Sequence, residues 1–204
     1  MAWTFYNSSG EAMIIDGGLH DVSEDTTPQL GGNLDMQASL LVGNGGSTGI
    51  AISANGEVTM AAQPAFLARN TVQDSNITGN GTTTTIDFND EVFDQNADFA
   101  SDTFTAPVTG RYDLSVTIQL LGITTAAAQI QFNLITSNRP YYVRELNTNN
   151  LGATAWLNIH VLADMDASDT VTATVVVTGE SSDVVDVGGE ATNVTTHFSG
   201  WLVA

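Results

Sequence analysis

The chain has 204 residues and sets 23 carboxylates against four basic residues, all arginine, for a formal charge of -19. Such a surface repels phosphate backbones and excludes nucleic acid as a partner, and the length suits one sizeable core with an appendage rather than two full domains. Cysteine is absent, so disulfides, thiolate metal sites and cysteine nucleophiles are excluded together, and stability has to come from the core and from subunit association.

Thr, Val, Ile, Gly and Asn are plentiful and no long amphipathic helical run occurs, which predicts an all-β chain. No window approaches the apolar length of a membrane span. The start MAWTFYNSSG lacks the basic and apolar regions of a signal peptide, so a soluble, unprocessed chain without membrane insertion is expected.

In chain order, residues 1–63 consist of short apolar pieces separated by turn signals: Gly17-Gly18, Gly31-Gly32, Gly43-Asn44-Gly45-Gly46 and Asn55-Gly56. Pieces such as 40–42 and 49–52 cannot close a core alone and need neighbours, in the following domain or in sister chains. Residues 49–60, GIAISANGEVTM, read as two short strands around the Asn55-Gly56 turn. Within this stretch DTTPQLGGNLD, Asp25 to Asp35, is a turn-rich connector in which Pro28 fixes an extended entry and Gly31-Gly32 permits a change of direction. That string resembles a segment of bacteriophage tail-fibre and other virion structural proteins.

From Pro64 onward the pattern becomes regular. Tyr112, Leu114, Val116, Ile118 and Leu120 alternate with Asp113, Ser115, Thr117 and Gln119, giving one buried and one exposed face. The same alternation runs through Ile130, Phe132 and Leu134, through Leu157, Ile159 and Val161, and through Val171, Ala173, Val175 and Val177. Strands at this spacing with Asn, Gly, Asp and Pro between them predict a sandwich of two antiparallel sheets over residues 64–204.

Four motifs then fall in order: PAFLARN (64–70), FDQNADFASDTFTAPVTGRYDLSV (93–116), LADMDASDTVTATV (162–175) and FSGWLVA (198–204). Together they resemble the C1q-like domain, with its opening Ala-Phe strand, its Phe-x-Ala-Pro-x-x-Gly-x-Tyr turn, its Gly-Asp-x-Val turn and its terminal Phe-Ser-Gly-aromatic-Leu strand. The resemblance implies an antiparallel jelly roll that works as a homotrimer. In its pattern Phe104 and Tyr112 anchor the turn made by Pro107 and Gly110, Phe198 and Leu202 share one face of the last strand, and Gly200 leaves room for a neighbouring chain or ring. Two departures stand out: Ser168 takes the place of the usual Gly before Asp169, and no collagen stalk is present.

Candidate sites are few. GNGGSTG (43–49) has the glycines of a phosphate loop but not its lysine. His20, His160 and His197 are scattered, and no Ser, His and Asp constellation emerges from spacing, so the chain is expected not to be an enzyme. His160 alternates with Trp156 and Asn158 opposite Leu157, Ile159 and Val161, and either lines a subunit contact or is a plain surface histidine. Asp164, Asp166 and Asp169 share one loop, and Asp183 and Asp186 another. Such loops are calcium candidates or ordinary turns, and the EF-hand spacing is missing. No other cofactor is indicated. Asn7, Asn76, Asn80 and Asn193 stand in sequons, which carry no meaning for glycosylation in a phage protein. Trp156 and Trp201, with Tyr141 and Tyr142 near Arg139 and Arg144, suit trimer contacts or a sugar-binding surface.

The two resemblances imply a bacteriophage virion protein exposed on the particle. Residues 1–63 would attach it to other virion proteins, and residues 64–204 would form a trimeric knob, a short tail fibre contributing to host-receptor binding, with a cell-surface glycan as the partner. The alternative is a capsid decoration protein or head fibre.

Overall fold

Alternation of apolar and polar residues becomes strand after strand in the computed structural model, which describes residues 3–6, 12–15, 41–42, 48–146 and 153–204. Among the described residues no helix forms. The chain divides into two units, Met1–Leu40 and Leu41–Ala204. The position 63/64 read from the change in sequence texture lies inside the second. The first unit contains β1 (Trp3–Tyr6) and β2 (Ala12–Ile15), paired antiparallel with Trp3 opposite Ile15 and Tyr6 opposite Ala12.

The second unit opens with a small antiparallel sheet of β3 (Leu41–Val42), β4 (Gly49–Ile52) and β5 (Val58–Met60). The last two strands are joined through Asn55-Gly56, as their sequence predicts. Gly56 sits at φ 94, a conformation that favours glycine.

Thirteen further strands build the sandwich: β6 (Ala65–Arg69), β7 (Val72–Thr78), β8 (Thr83–Thr85), β9 (Asp90–Asp94), β10 (Phe99–Ala100), β11 (Thr103–Thr105), β12 (Gly110–Leu121), β13 (Gln129–Thr136), β14 (Pro140–Leu146), β15 (Thr154–Met165), β16 (Thr170–Thr178), β17 (Val185–Glu190) and β18 (His197–Leu202). All their pairings are antiparallel. One sheet contains β6–β18–β12–β15 as its centre, with β9 beyond β6, and with β17 and β7 at the far end of β12. The other contains β8–β16–β13–β14, with β11 and β10 continuing along the β16 edge. Strands adjacent in the chain, such as β12 and β13 or β15 and β16, thus fall in different sheets, and the chain crosses repeatedly between the two layers as in a jelly roll.

The alternating positions are the core. Tyr112, Leu114, Val116, Ile118 and Leu120 of β12 are fully buried, as are Ile130, Phe132 and Leu134 of β13 and Val171, Ala173, Val175 and Val177 of β16. A cluster of rings closes one end: Phe66 stacks on Phe99 at 5.0 Å and on Phe104 at 4.8 Å, and meets Phe198 edge-on at 5.0 Å. Such contacts add roughly 0.5–1.5 kcal/mol per pair beyond the area they bury.

Candidate interaction surface

With its odd and even positions sorted by the core, β12 presents Asp113, Ser115, Thr117 and Gln119 on the opposite side of the first sheet. Register sets their neighbours. Asp113 lies between Trp201 of β18 and Leu162 of β15, Ser115 between Ser199 and His160, Thr117 between His197 and Asn158, and Gln119 opposite Trp156. β6 extends the same rows, with Ala65 opposite Trp201 and Leu67 opposite Ser199. The outer face therefore carries large apolar side chains that none of the described residues covers, among them Trp156 at 54% exposure, Leu162 at 58% and Trp201 at 47%.

Polar groups between them are tied down. His160 Nε2 and Asp113 Oδ1 are 2.5 Å apart. Asn158 lies along the sheet, its Nδ2 donating to Val116 O at 3.0 Å and Thr117 Oγ1 at 2.9 Å. His197 is half-buried, with its Nδ1 buried and unpartnered, and burial pushes its pKa below the ordinary value. At the margin Arg69 Nε pairs with Asp90 at 2.6 Å. On the rows from Asp113 to Gln119, counting their partners on β15, β18 and β6, Asp113 is the sole carboxylate. In a chain of charge -19 this is a locally neutral, aromatic patch.

The six residues singled out as fold and trimer candidates divide in two. Phe104, Tyr112 and Phe198 are core, while Trp156, His160 and Trp201 share the outer face. Phe104 and Tyr112 hold the corner before β12 as their spacing implies: the rings meet at 5.4 Å, and Tyr112 Oη donates to Val108 O at 2.7 Å. Burial raises the Tyr112 pKa. Gly200 leaves room for rings of its own chain, since a Cβ there would lie 2.7 Å from Leu114 Cδ2 and 2.8 Å from Phe66 Cε1.

The acidic loops act as fasteners. Asp164 Oδ2 accepts from Arg139 at 2.8 Å, and Asp169 Oδ2 accepts the Asp166 amide at 2.9 Å, closing the β15–β16 turn. Asp164 and Asp166 line a cavity of about 260 Å³ that Asp169 does not reach. Arg111 lines the same cavity and opposes a dication there. Among the described residues no three His, Asp or Glu side chains gather as metal ligands, so the calcium candidates have no assembled site. Asp183 accepts from Asn80 N and Thr82 Oγ1, and Asp186 from Asn76 N and Gln73 Nε2, tying β17 and its preceding loop to the β7–β8 region.

Tyr141 packs against the core, whereas Tyr142 is 60% exposed with the Arg144 guanidinium 5.6 Å from its ring centre. Arg139 is engaged with Asp164 instead, so the two tyrosines and two arginines do not form one site. His20, the sequon at Asn7, the Asp25–Asp35 connector and most of the 43–49 glycine string lie outside the described residues.

Leu162 and Asp113 complete the surface without having been singled out. The signal for Leu162 was available: it is in phase with His160 and Asp164, so it puts a large apolar side chain on the strand's polar side. Asp113 required the strand register, because its partner His160 is distant in sequence.

No family model and no curated protein matches this chain. Solved structures do. The globular domain of zebrafish complement 1qA is 17% identical, with 69% of this chain and 98% of that chain covered and a TM-score of 0.48. Murine APRIL at pH 8.5 is 10% identical over 69% of this chain and 99% of its own, with a TM-score of 0.46.

Proposed function

We propose that the sandwich is a homotrimeric display domain and that the chain is a bacteriophage surface appendage, a short tail fibre or knob contributing to host-receptor binding. The observation that carries the trimer is the uncovered row of Trp156, Leu162 and Trp201 on the outer face of β6–β18–β12–β15. Aromatic side chains around a nearly uncharged centre are the composition of a protein interface, not of a solvated sheet face. Threefold symmetry comes from the resemblance of the four ordered motifs to the C1q-like pattern. The virion setting comes from the resemblance of Asp25–Asp35 to phage sequence. A threefold knob presents each recognition site three times, so weak contacts with a repetitive cell-surface glycan add through avidity.

Two measurements test this reading. Sedimentation at micromolar concentration should give a trimer mass, and Trp156→Asp with Trp201→Asp should give monomers that stay folded; a wild-type monomer sinks the trimer. Purified protein should block adsorption of the parent phage to its host. A lack of competition at saturation, with copies spread over the whole capsid, points to decoration instead.

A further inference from the structure

The small sheet β3–β5 carries an aliphatic face with no cover among the described residues. Leu41 is opposite Ile50, Ile50 opposite Met60, and Ile52 opposite Val58. Directly opposed residues point to the same side of a sheet, so all five side chains stand on one face. Each is between 40% and 61% exposed. Among the residues whose side chains are described, the reverse face presents Gly49, Ala51 and Thr59, which are small. A sheet of strands this short is marginal in water, and five adjoining aliphatic side chains in so acidic a chain mark a surface made to be covered.

The attachment of this sheet says by what. β5 ends at Met60, and the link to β6 is fixed to the sandwich. Gln95 Nε2 donates to the carbonyls of Met60 (2.8 Å), Ala61 (3.1 Å) and Gln63 (2.7 Å), and Asn96 Nδ2 donates to that of Ala62 at 2.9 Å. Gln63 Nε2 in turn reaches Leu202 O at 2.7 Å, and the Leu202 amide donates to Pro64 O at 3.1 Å. The tethers come from the loop after β9, itself bonded to β6 through the Gln95 amide and Ala65 O, and from β18, the strand that carries Trp201. The small sheet is thus joined, through a pinned link, to the sheet whose outer face is assigned to subunit contact.

We propose that the Leu41, Ile50, Ile52, Val58 and Met60 face is a second self-association surface, covered by the same face of sister copies to form a stem with its own apolar core. The proposal rests on the trimer put forward above and adds to it a contact outside the sandwich. In a closed threefold assembly a pinned, identical element on each subunit is carried to equivalent positions about the axis, so one association event covers both surfaces.

The chain has no cysteine, which makes a site-specific test clean. Full-length Ile50→Cys should yield covalent dimers within the trimer on treatment with a short bis-maleimide, whereas Thr59→Cys on the reverse face should not. In addition, Ile52→Lys should weaken the trimer by at least about tenfold, as loss of one buried interface anchor does. Ile52 is 58% exposed in the single chain, so folding of the protomer is spared. A trimeric Ile50→Cys protein that fails to cross-link, or an Ile52→Lys trimer of unchanged affinity, overturns the stem and leaves the sandwich trimer standing. A monomeric wild type overturns both.

Discussion

Asp113 Oδ1 and His160 Nε2 lie 2.5 Å apart across the β12–β15 pairing, in the middle of the face that carries Trp156, Leu162 and Trp201. In the single chain this pair is wet, with His160 61% and Asp113 21% exposed, and contributes under about 1 kcal/mol. Covered by a sister subunit it would be shielded, and removing one partner would leave the other's polar atom buried without its hydrogen bond at a cost of roughly 1–3 kcal/mol. Asp113→Ala is therefore expected to leave urea unfolding of dilute monomer nearly unchanged while weakening association strongly at neutral pH. Sedimentation equilibrium on both proteins checks this, and equal association would count against that face as the contact.

His197 supplies a pH dependence on the same face. Burial depresses its pKa below 6.5, so the fold favours the neutral form of the ring. A base with a depressed folded-state value contributes stability that is present above about pH 6.5 and lost as pH falls through the depressed value. Asp98 and Asp74 act in the opposite sense. Burial raises both carboxyls above 3.8, so the stability held by their neutral forms is lost as pH rises through the raised values. Replacing His197 isolates its share. The unfolding free energy of wild type minus that of His197→Gln should fall between pH 7 and pH 5 in urea titrations, and a flat difference would contradict the assignment.

How much of this was legible beforehand depended on sequence range. Alternation along β12, β13 and β16 marked the core because burial of one sheet face is written locally, at every second residue. Trp156, His160 and Trp201 were read as outward for the same reason. The grouping of Trp201 with Leu162 around Asp113 was hidden, since it depends on β18 and β15 flanking one strand from opposite edges. The acid loop was ambiguous for a different reason: Asp166 and Asp169 look alike as ligands or turn formers until the Asp166 amide is seen to point at Asp169 Oδ2. The aliphatic face of β3–β5 was equally obscure, because pieces of two to four residues show no period and only the pairing reveals that their side chains share a side.

Gly200 offers a test of packing beneath the proposed contact. It stands opposite Leu114 on one side and Phe66 on the other. Phe66 cannot retreat, because it is stacked on Phe99 and Phe104 and meets Phe198 edge-on. Gly200→Ala should destabilise the chain by about 1–3 kcal/mol through overpacking. Phe198→Ala, which empties the same cluster, should cost about 3–5 kcal/mol. Both are read from the urea midpoint at constant slope, and a neutral Gly200→Ala would mean that the strand shifts outward freely.

Ser168 is where the chain departs from the C1q-like pattern, and the backbone shows the consequence. Its φ is 76, in the left-handed region that glycine enters without penalty and a side chain does not. The strain is held in place from both sides: the Ser168 amide donates to Ala106 O at 2.7 Å, while the Asp169 amide donates to Asp166 O and Asp169 Oδ2 receives the Asp166 amide. None of these bonds uses the serine hydroxyl, so Ser168→Gly keeps the whole network. Relief of the left-handed strain works against the extra freedom glycine gives the unfolded chain, about 0.4–1 kcal/mol. Strain of roughly 1–3 kcal/mol is the larger of the two, so the substitution should raise stability by about 1 kcal/mol in urea. Ser168→Val, whose branched side chain tolerates this φ least, should lower it. The two variants moving in the same direction would show that the turn relaxes out of the left-handed region when its residue changes.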